Sequence, residues 1–310
     1  MTSETSKMFY RNSILMVVGL MLSFSVFAKK EAKDFLVPNE LVQGYLKTYS
    51  PDEIEKINMD YANIRDLCFS QAKKDQKKLI YVGTAGGIGA GRSKILERYL
   101  RGRLGFVHID PDQRGLKFMI NTYTQYIDNY LISESLTYQR LKEAYAKWRD
   151  ASDYIVNKIL NEAYDKNFAI AYVTTSSIKG IDQFFGKLKN RNYKIILLLC
   201  GSSEENRLKA MEYKEKHQYF VQATPEELIT KGRRFFDNFP AYFQLADEIQ
   251  FYWTEDFFKG GVKVGDYSRK NGLKWSHEYY KKFVDSYESY RKKYNSRLPS
   301  FDALYHKGYI

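Results

Sequence analysis

Tyr81-Val82-Gly83-Thr84-Ala85-Gly86-Gly87-Ile88-Gly89-Ala90-Gly91-Arg92-Ser93 is the stretch whose reading decides the fold. The apolar run from Leu79 to Val82 reads as a strand, and Ile95, Leu96, Tyr99 and Leu100 recur at helical spacing beyond it. Strand, glycine loop and helix therefore follow in that order. From Gly86 the residues spell G-x-x-x-x-G-R-S, the phosphate-binding loop pattern with Arg92 at the lysine position. A chain that wraps a phosphate tail must turn tightly and point successive N–H groups inward, which glycine permits and bulkier residues resist. Gly86, Gly87, Ile88, Gly89, Ala90, Gly91, Arg92 and Ser93 are thus the expected nucleotide-binding residues, with Ser93 as the expected magnesium ligand. The positive end of the following helix adds to the same anion site. A plain turn between strand and helix is the alternative, and it leaves Arg92-Ser93 unexplained.

The rest of the chain bounds this reading. At 310 residues, with 44% hydrophobic and 28% charged residues, the composition is that of an ordinary globular protein, large enough for a full core. The formal net charge of +12 favours anionic partners, among them nucleotides, nucleic acid and acidic membrane. Nucleic acid is the weaker of these, because the loop already accounts for an anionic ligand.

Lys7 and Arg11 precede an apolar stretch from Ile14 to Phe27, and Val26-Phe27-Ala28 places small residues where a signal peptidase cuts. Residues 1–28 are therefore expected to be a signal peptide or N-terminal anchor and the protein exported, periplasmic or secreted. It would be cytoplasmic if the start is placed too early, and it would meet a membrane only through an uncleaved leader. Residues 29–49 read as a linker. Cys68 and Cys200 permit one disulfide after export and read otherwise as buried thiols. Ser50-Pro51-Asp52-Glu53 starts a helix with a capping box, continued by Ile57, Tyr61, Ile64 and Cys68 on one face.

Leu104 to Ile109 is a second buried strand that ends in Asp110-Pro111-Asp112. Carboxylates leaving a strand beside a phosphate loop can accept a proton from an attacking hydroxyl and hold a magnesium water. The same tripeptide is also good turn chemistry. His108 reads as a satisfied core histidine. Residues 120–165 are helical and aromatic, with a fresh helix start at Trp148 to Ser152 that puts Asp150 in its first turn. Phe168–Val173, Tyr193–Cys200 and Ala246–Tyr252 are further strands, and the polar residues after the first two, Thr174 among them, gather where an open parallel sheet binds ligands. The charged helix from Glu204, with Arg207 and Lys214, is either a solvated face or a lid over the phosphates.

The run Thr84 to Ser93, then Val107-His108-Ile109-Asp110-Pro111-Asp112, then Asp150-Ala151-Ser152, resembles the zeta toxin family of P-loop kinases, kin of chloramphenicol phosphotransferase. The likeness spans residues 77–253. It implies a three-layer α/β P-loop kinase fold with a mainly parallel five-stranded sheet, over 50–254; beyond it, Trp275, Tyr279, Tyr280, Phe283, Tyr287 and Tyr290 at helical spacing read as a helical, aromatic-rich extension over 255–310 whose face docks on the core or, alternatively, meets a membrane surface or a partner. It implies transfer of a phosphoryl group from ATP or GTP, with Mg2+, to a hydroxyl of a small molecule such as UDP-N-acetylglucosamine, and an antitoxin as a possible partner. By position Asp112 resembles the general base and Arg92 the phosphate-binding cation. Arg207 matches the first lid arginine, with Lys214, Lys216 or Gln222 in place of the second, and Asp110, Asp150 and Thr174 lie toward the substrate. The strand-end glutamate of the family is missing from Ala171-Tyr172-Val173-Thr174, and Ile88 replaces the usual loop proline. A catalytically degenerate nucleotide-binding protein that acts as an interaction module or exported effector is therefore the alternative.

Overall fold

The structure, a computed structural model, describes residues 35–74, 79–132, 137–177, 180–218 and 224–306. The expected signal segment lies outside the described residues. Five strands run parallel, β1 (Ile80–Gly86), β2 (Phe106–Ile109), β3 (Ala169–Tyr172), β4 (Lys194–Ser202) and β5 (Glu248–Thr254), in the spatial order β2-β3-β1-β4-β5. The glycine loop thus leaves the central strand, with β3 and β4 hydrogen-bonded on either side. Because β1 is covered on both faces, its residues Tyr81 through Gly86 are all buried.

The sheet has seven strands rather than the expected five. The extension is not wholly helical: β6 (Val262–Ser268) pairs antiparallel with β5, and β7 (Gly272–Trp275) pairs antiparallel with β6. Gly272, at φ 66°, makes the turn between them. A hairpin of this kind prolongs the sheet where a helix would have left the β5 edge open.

The strand residues alternate between two apolar layers. On one face Val82, Leu198 and Cys200 pack with Ile95 and Leu96 of α3 (Arg92–Leu100). On the other face Tyr81, Leu197 and Leu199 belong to the large core, shared with α5 (Tyr138–Asp165), α6 (Ile181–Asn190), α9 (Phe239–Leu245) and α10 (Tyr280–Tyr294). The aromatic stripe of the extension is core: Phe239 and Tyr287 stack with centroids 4.9 Å apart, and Phe283 and Phe301 are buried against them. No described helix is long and apolar enough to cross a membrane.

Three local expectations change. The described part of the linker, residues 35–49, packs on the core: it forms α1 (Asn39–Gly44), buries Leu36 and Val42, and exchanges two 2.8 Å hydrogen bonds between the Val37 backbone and the Asn161 amide. Second, no helix starts at Trp148. One helix, α5, runs unbroken from a Thr137 cap, because Trp148, Ala151, Ser152 and Ile155 continue a single buried face. Third, Cys68 and Cys200 are buried free thiols, and burial pushes each up to about 12.

Helix α2 (Pro51–Phe69) has the expected capping box, with Glu53 N–H donating to Ser50 Oγ and Ser50 N–H to Glu53. It is tied to α5 through Glu162. That carboxylate accepts from Arg65 Nη2 at 2.6 Å, Tyr61 at 3.0 Å and Lys166 at 2.6 Å. Burial opposes its charge, but these donors prevail and bring it down to about 2. A carboxylate depressed in this way stabilises the fold above its unfolded value of 4.5 and loses that contribution as pH falls toward 2. Glu162→Gln is expected to lower the unfolding free energy by about 2 kcal/mol at pH 7. In urea titrations the gap between variant and parent should close as the pH is lowered through the acid range.

Candidate active site

The loop backbone is forced by what surrounds it. Gly86, Gly89 and Gly91 have φ of 155°, 82° and 78°. A Cβ at Gly86 would stand 2.3 Å from the Cys200 carbonyl oxygen, and one at Gly89 would stand 2.8 Å from that of Arg207. Gly86 N–H donates to Thr175 O at 3.2 Å, and Thr254 Oγ1 donates to Ala90 O at 3.0 Å, so both ends of the loop are pinned. Helix α3 begins directly after Gly91 with no side-chain cap, which leaves its first N–H groups to a ligand.

Asp110 ends β2 and caps the turn that follows: its Oδ1 accepts the N–H groups of Asp112 and Gln113, each at 3.0 Å. The expected turn chemistry and the expected site therefore coincide. Ser93 of the loop is near enough to favour the charged form of this carboxylate, so turn and loop lie side by side. It is 2% exposed, and burial, with Asp112 next to it, pushes its pKa above the usual carboxylate value. Ser152 of α5 donates to Pro111 O at 3.2 Å and holds the turn from behind.

Asp112 meets Arg149 Nη1 at 3.3 Å, and Arg149 is paired in turn with Asp153 at 2.8 Å, one helical turn along α5. Burial works against the Arg149 charge, but Asp153, Tyr145 and Asp112 outweigh it and raise its pKa. The half-buried Arg92 feels Asp112 and Asp110. Burial draws its pKa down and the two carboxylates oppose that shift, so the loop cation belongs to the same cluster.

The structure moves some of the expected roles. Asp150 is exposed on α5 and acts on Tyr49 and Tyr45. The carboxylate that reaches Asp112 through Arg149 is Asp153, three residues on. An Arg-x-x-x-Asp pair on one helical face is the signal for it, hidden by placing a helix start at Trp148. Thr174 is engaged within the strand ends: its N–H donates to Thr84 Oγ1 at 2.9 Å and its hydroxyl accepts from Ser176 N–H at 3.1 Å. His108 is not satisfied, since its buried Nε2 has no hydrogen-bond partner among the described residues, and burial, then Arg114, send its pKa down to about 4.

Above the cluster lies α7 (Glu204–Gln218). Its Lys214 is half-buried; loss of water draws its pKa down, and it is coupled to Asp112, Arg92 and Asp110. Lys216 is exposed, and Gln222 lies outside the described residues. Of the described candidates for the second lid cation, Lys214 is the one whose charge is coupled to Asp112, Arg92 and Asp110. Arg207 itself is 3% exposed, lies against Gly87 and Gly89, and donates from Nη1 to Leu228 O of α8 (Pro225–Arg234) at 2.8 Å. Gly232 makes room for its guanidinium, for a Cβ there would fall 1.6 Å from Nη1.

The donor set fits a magnesium ion. The Ser93 hydroxyl and the Asp110 carboxylate are hard oxygens, and magnesium in phosphotransfer sites takes one or two such protein ligands together with phosphate oxygens. Among the described residues no three His, Cys, Asp or Glu side chains form an all-protein cage.

No family model matches the sequence, and no curated protein matches it. Solved structures do match. One, from the PezAT chromosomal toxin–antitoxin system of Streptococcus pneumoniae, has a TM-score of 0.52 at 14% identity, over 82% of this chain and 99% of that chain. The fold is that of the zeta-toxin kinases. The AvrRxo1-ORF1:-ORF2 complex with ATP gives 0.56 at 11% identity, over 86% of this chain and 80% of that chain, and the native complex gives 0.56 over 85% and 87%. At such identities the zeta-toxin likeness carries the fold alone.

Ionised Asp110 opposes folding, because its folded-state pKa lies above the unfolded 3.8 and stability falls as pH rises through that interval. Asn keeps the Oδ1 that caps the turn. Asp110→Asn is therefore expected to raise the melting temperature by about 2 °C at pH 7. The gain should disappear below pH 3.8, and calorimetry at the two pH values checks it.

Proposed function

We propose that this chain is a kinase that moves the γ-phosphoryl group of a nucleoside triphosphate, ATP or GTP, onto a hydroxyl of a small molecule. The observation that carries the reading is the placement of the Asp110-Pro111-Asp112 turn beside the glycine loop, where Ser93 neighbours the Asp110 carboxylate and the Arg92 charge is coupled to both Asp112 and Asp110. In that arrangement the N–H groups of Gly87, Ile88, Gly89, Gly91, Arg92 and Ser93 bind the phosphate tail, while those of Gly86 and Ala90 hold the loop to Thr175 and Gly87, and Arg92 and Lys214 offset the charge on the transferring group. Ser93 and Asp110 would hold the magnesium ion, which supplies charge neutralisation across the phosphate oxygens. Asp112 accepts the proton of the attacking hydroxyl, and Arg149, bonded to both Asp112 and Asp153, fixes the direction in which that carboxylate points.

The acceptor proposed is a nucleotide sugar of the UDP-N-acetylglucosamine type, and the partner proposed is an antitoxin protein. Support for the partner comes from the toxin–antitoxin system and the two-protein complex whose structures this chain resembles. The signal-like leader fits a kinase that acts beyond the cell that makes it. One observation favours a second reading, nucleotide binding without turnover. Arg92 is a planar fork where a compact ammonium would sit among the phosphates, and the two are not equivalent there.

The test is incubation of the full chain with ATP, magnesium and UDP-N-acetylglucosamine, or a metabolite extract, followed by mass spectrometry for a product heavier by one phosphoryl group. Asp112→Asn should slow product formation by about a hundredfold or more while nucleotide affinity stays near the parent's. Equal turnover by the two proteins would remove Asp112 from the mechanism.

A further inference from the structure

The chain before α2 does more than link. Leu36 and Val42 are buried, and the Val37 backbone is tied to Asn161 by its two hydrogen bonds. Further back along α5, Tyr49 donates to Lys147 O at 2.5 Å, accepts from Ala151 N–H at 3.1 Å and stacks on Trp148 with centroids 5.6 Å apart. Residues 36–49 are therefore a strap that runs antiparallel to α5 and is fastened at both ends. Tyr45 falls between the fastenings, beside Asp153. Burial raises the pKa of its phenol, and the Asp153 charge is the next largest influence on it.

This level of α5 faces the reacting groups. Asp153 is bonded to Arg149 and Arg149 to Asp112, while the Tyr145 ring lies 5.8 Å from the same guanidinium. Residues 145, 149 and 153 are one turn apart and share a helix face. Tyr172 joins them from the sheet. It stands in register with Ile109, the residue before Asp110, and belongs with Tyr45 to the layer that contains α5. The two phenols influence each other, and burial raises both pKa values, so each keeps its proton for a hydrogen bond. Asp112, Arg149, Asp153, Tyr45 and Tyr172 are each half-buried, so this side of the cluster keeps surface for a ligand.

We propose that the strap is the outer wall of the acceptor site, and that the Tyr45 hydroxyl hydrogen-bonds the molecule whose reacting hydroxyl meets Asp112. The inference rests on the phosphoryl-transfer reading above and adds to it a residue from outside the sheet and its loops. No carboxylate ends β3, which runs Ala169-Ile170-Ala171-Tyr172. On this side the acceptor therefore meets neutral phenols, which donate to its oxygens without placing more negative charge beside the base.

The test does not need the acceptor's identity. The full chain is given saturating ATP and magnesium with a protein-free metabolite extract in serial dilution, and the phosphorylated product is followed by mass spectrometry. Tyr45→Phe keeps the ring packed and should raise the half-saturating amount of extract about fivefold, the worth of one hydrogen bond; Tyr45→Ala should raise it by more than about tenfold. The maximal rate, the ATP affinity by titration calorimetry and the melting temperature of Tyr45→Phe should stay at the parent's values. Parental half-saturation in Tyr45→Phe, or a loss of ATP affinity in step with that of the acceptor, overturns the proposal and leaves the kinase reading in place. Absence of any product from the parent chain overturns both.

Discussion

The structure turns on two places where the chain passes too near its neighbours for any side chain. At Gly86 the backbone lies against the Cys200 carbonyl, and at Gly89 against that of Arg207. These contacts bind the loop to β4 and to the first turn of α7. The strand that supplies the loop, the strand that supports it and the helix that closes over it are thereby held as one piece. Ser93 inherits its position beside the Asp110 carboxylate from that arrangement. Larger residues at either glycine would shift several parts of the site together.

The charged cluster explains why the site needs a packed surround. Arg92, Asp112, Arg149, Asp153 and Lys214, each half-buried, gather around the buried Asp110, where an unpaired charge would be costly. Arg149 is shared between two carboxylates, and Asp110 spends one oxygen on backbone donors. Burial and the neighbouring Asp112 still disfavour the ionised form of Asp110.

The loop, the succession of the first five strands along the chain and the Asp-Pro-Asp turn were legible in the sequence because each depends on neighbours within a few positions. Glycines at turns, a capping box at Ser50 and an apolar run before a polar strand end are local signals. The two strands after Gly261 were not legible. Their residues alternate weakly, and they become a hairpin only because β5 presents an edge. Asp153 was missed for a related reason: α5 continues through Asp150 because its buried face meets the sheet, a fact of tertiary packing. Arg207 could be named from position, but its seat between Gly87 and Gly232, far apart in sequence, could not.

The fold draws on no covalent cross-link. Both sulfur atoms sit inside apolar layers, with thiols too weakly acidic to form thiolate near neutrality. The stability of the described chain is therefore indifferent to the redox potential around it. It can fold equally in a reducing cytosol or an oxidising space, and passage between the two requires no oxidoreductase to make or undo a bond.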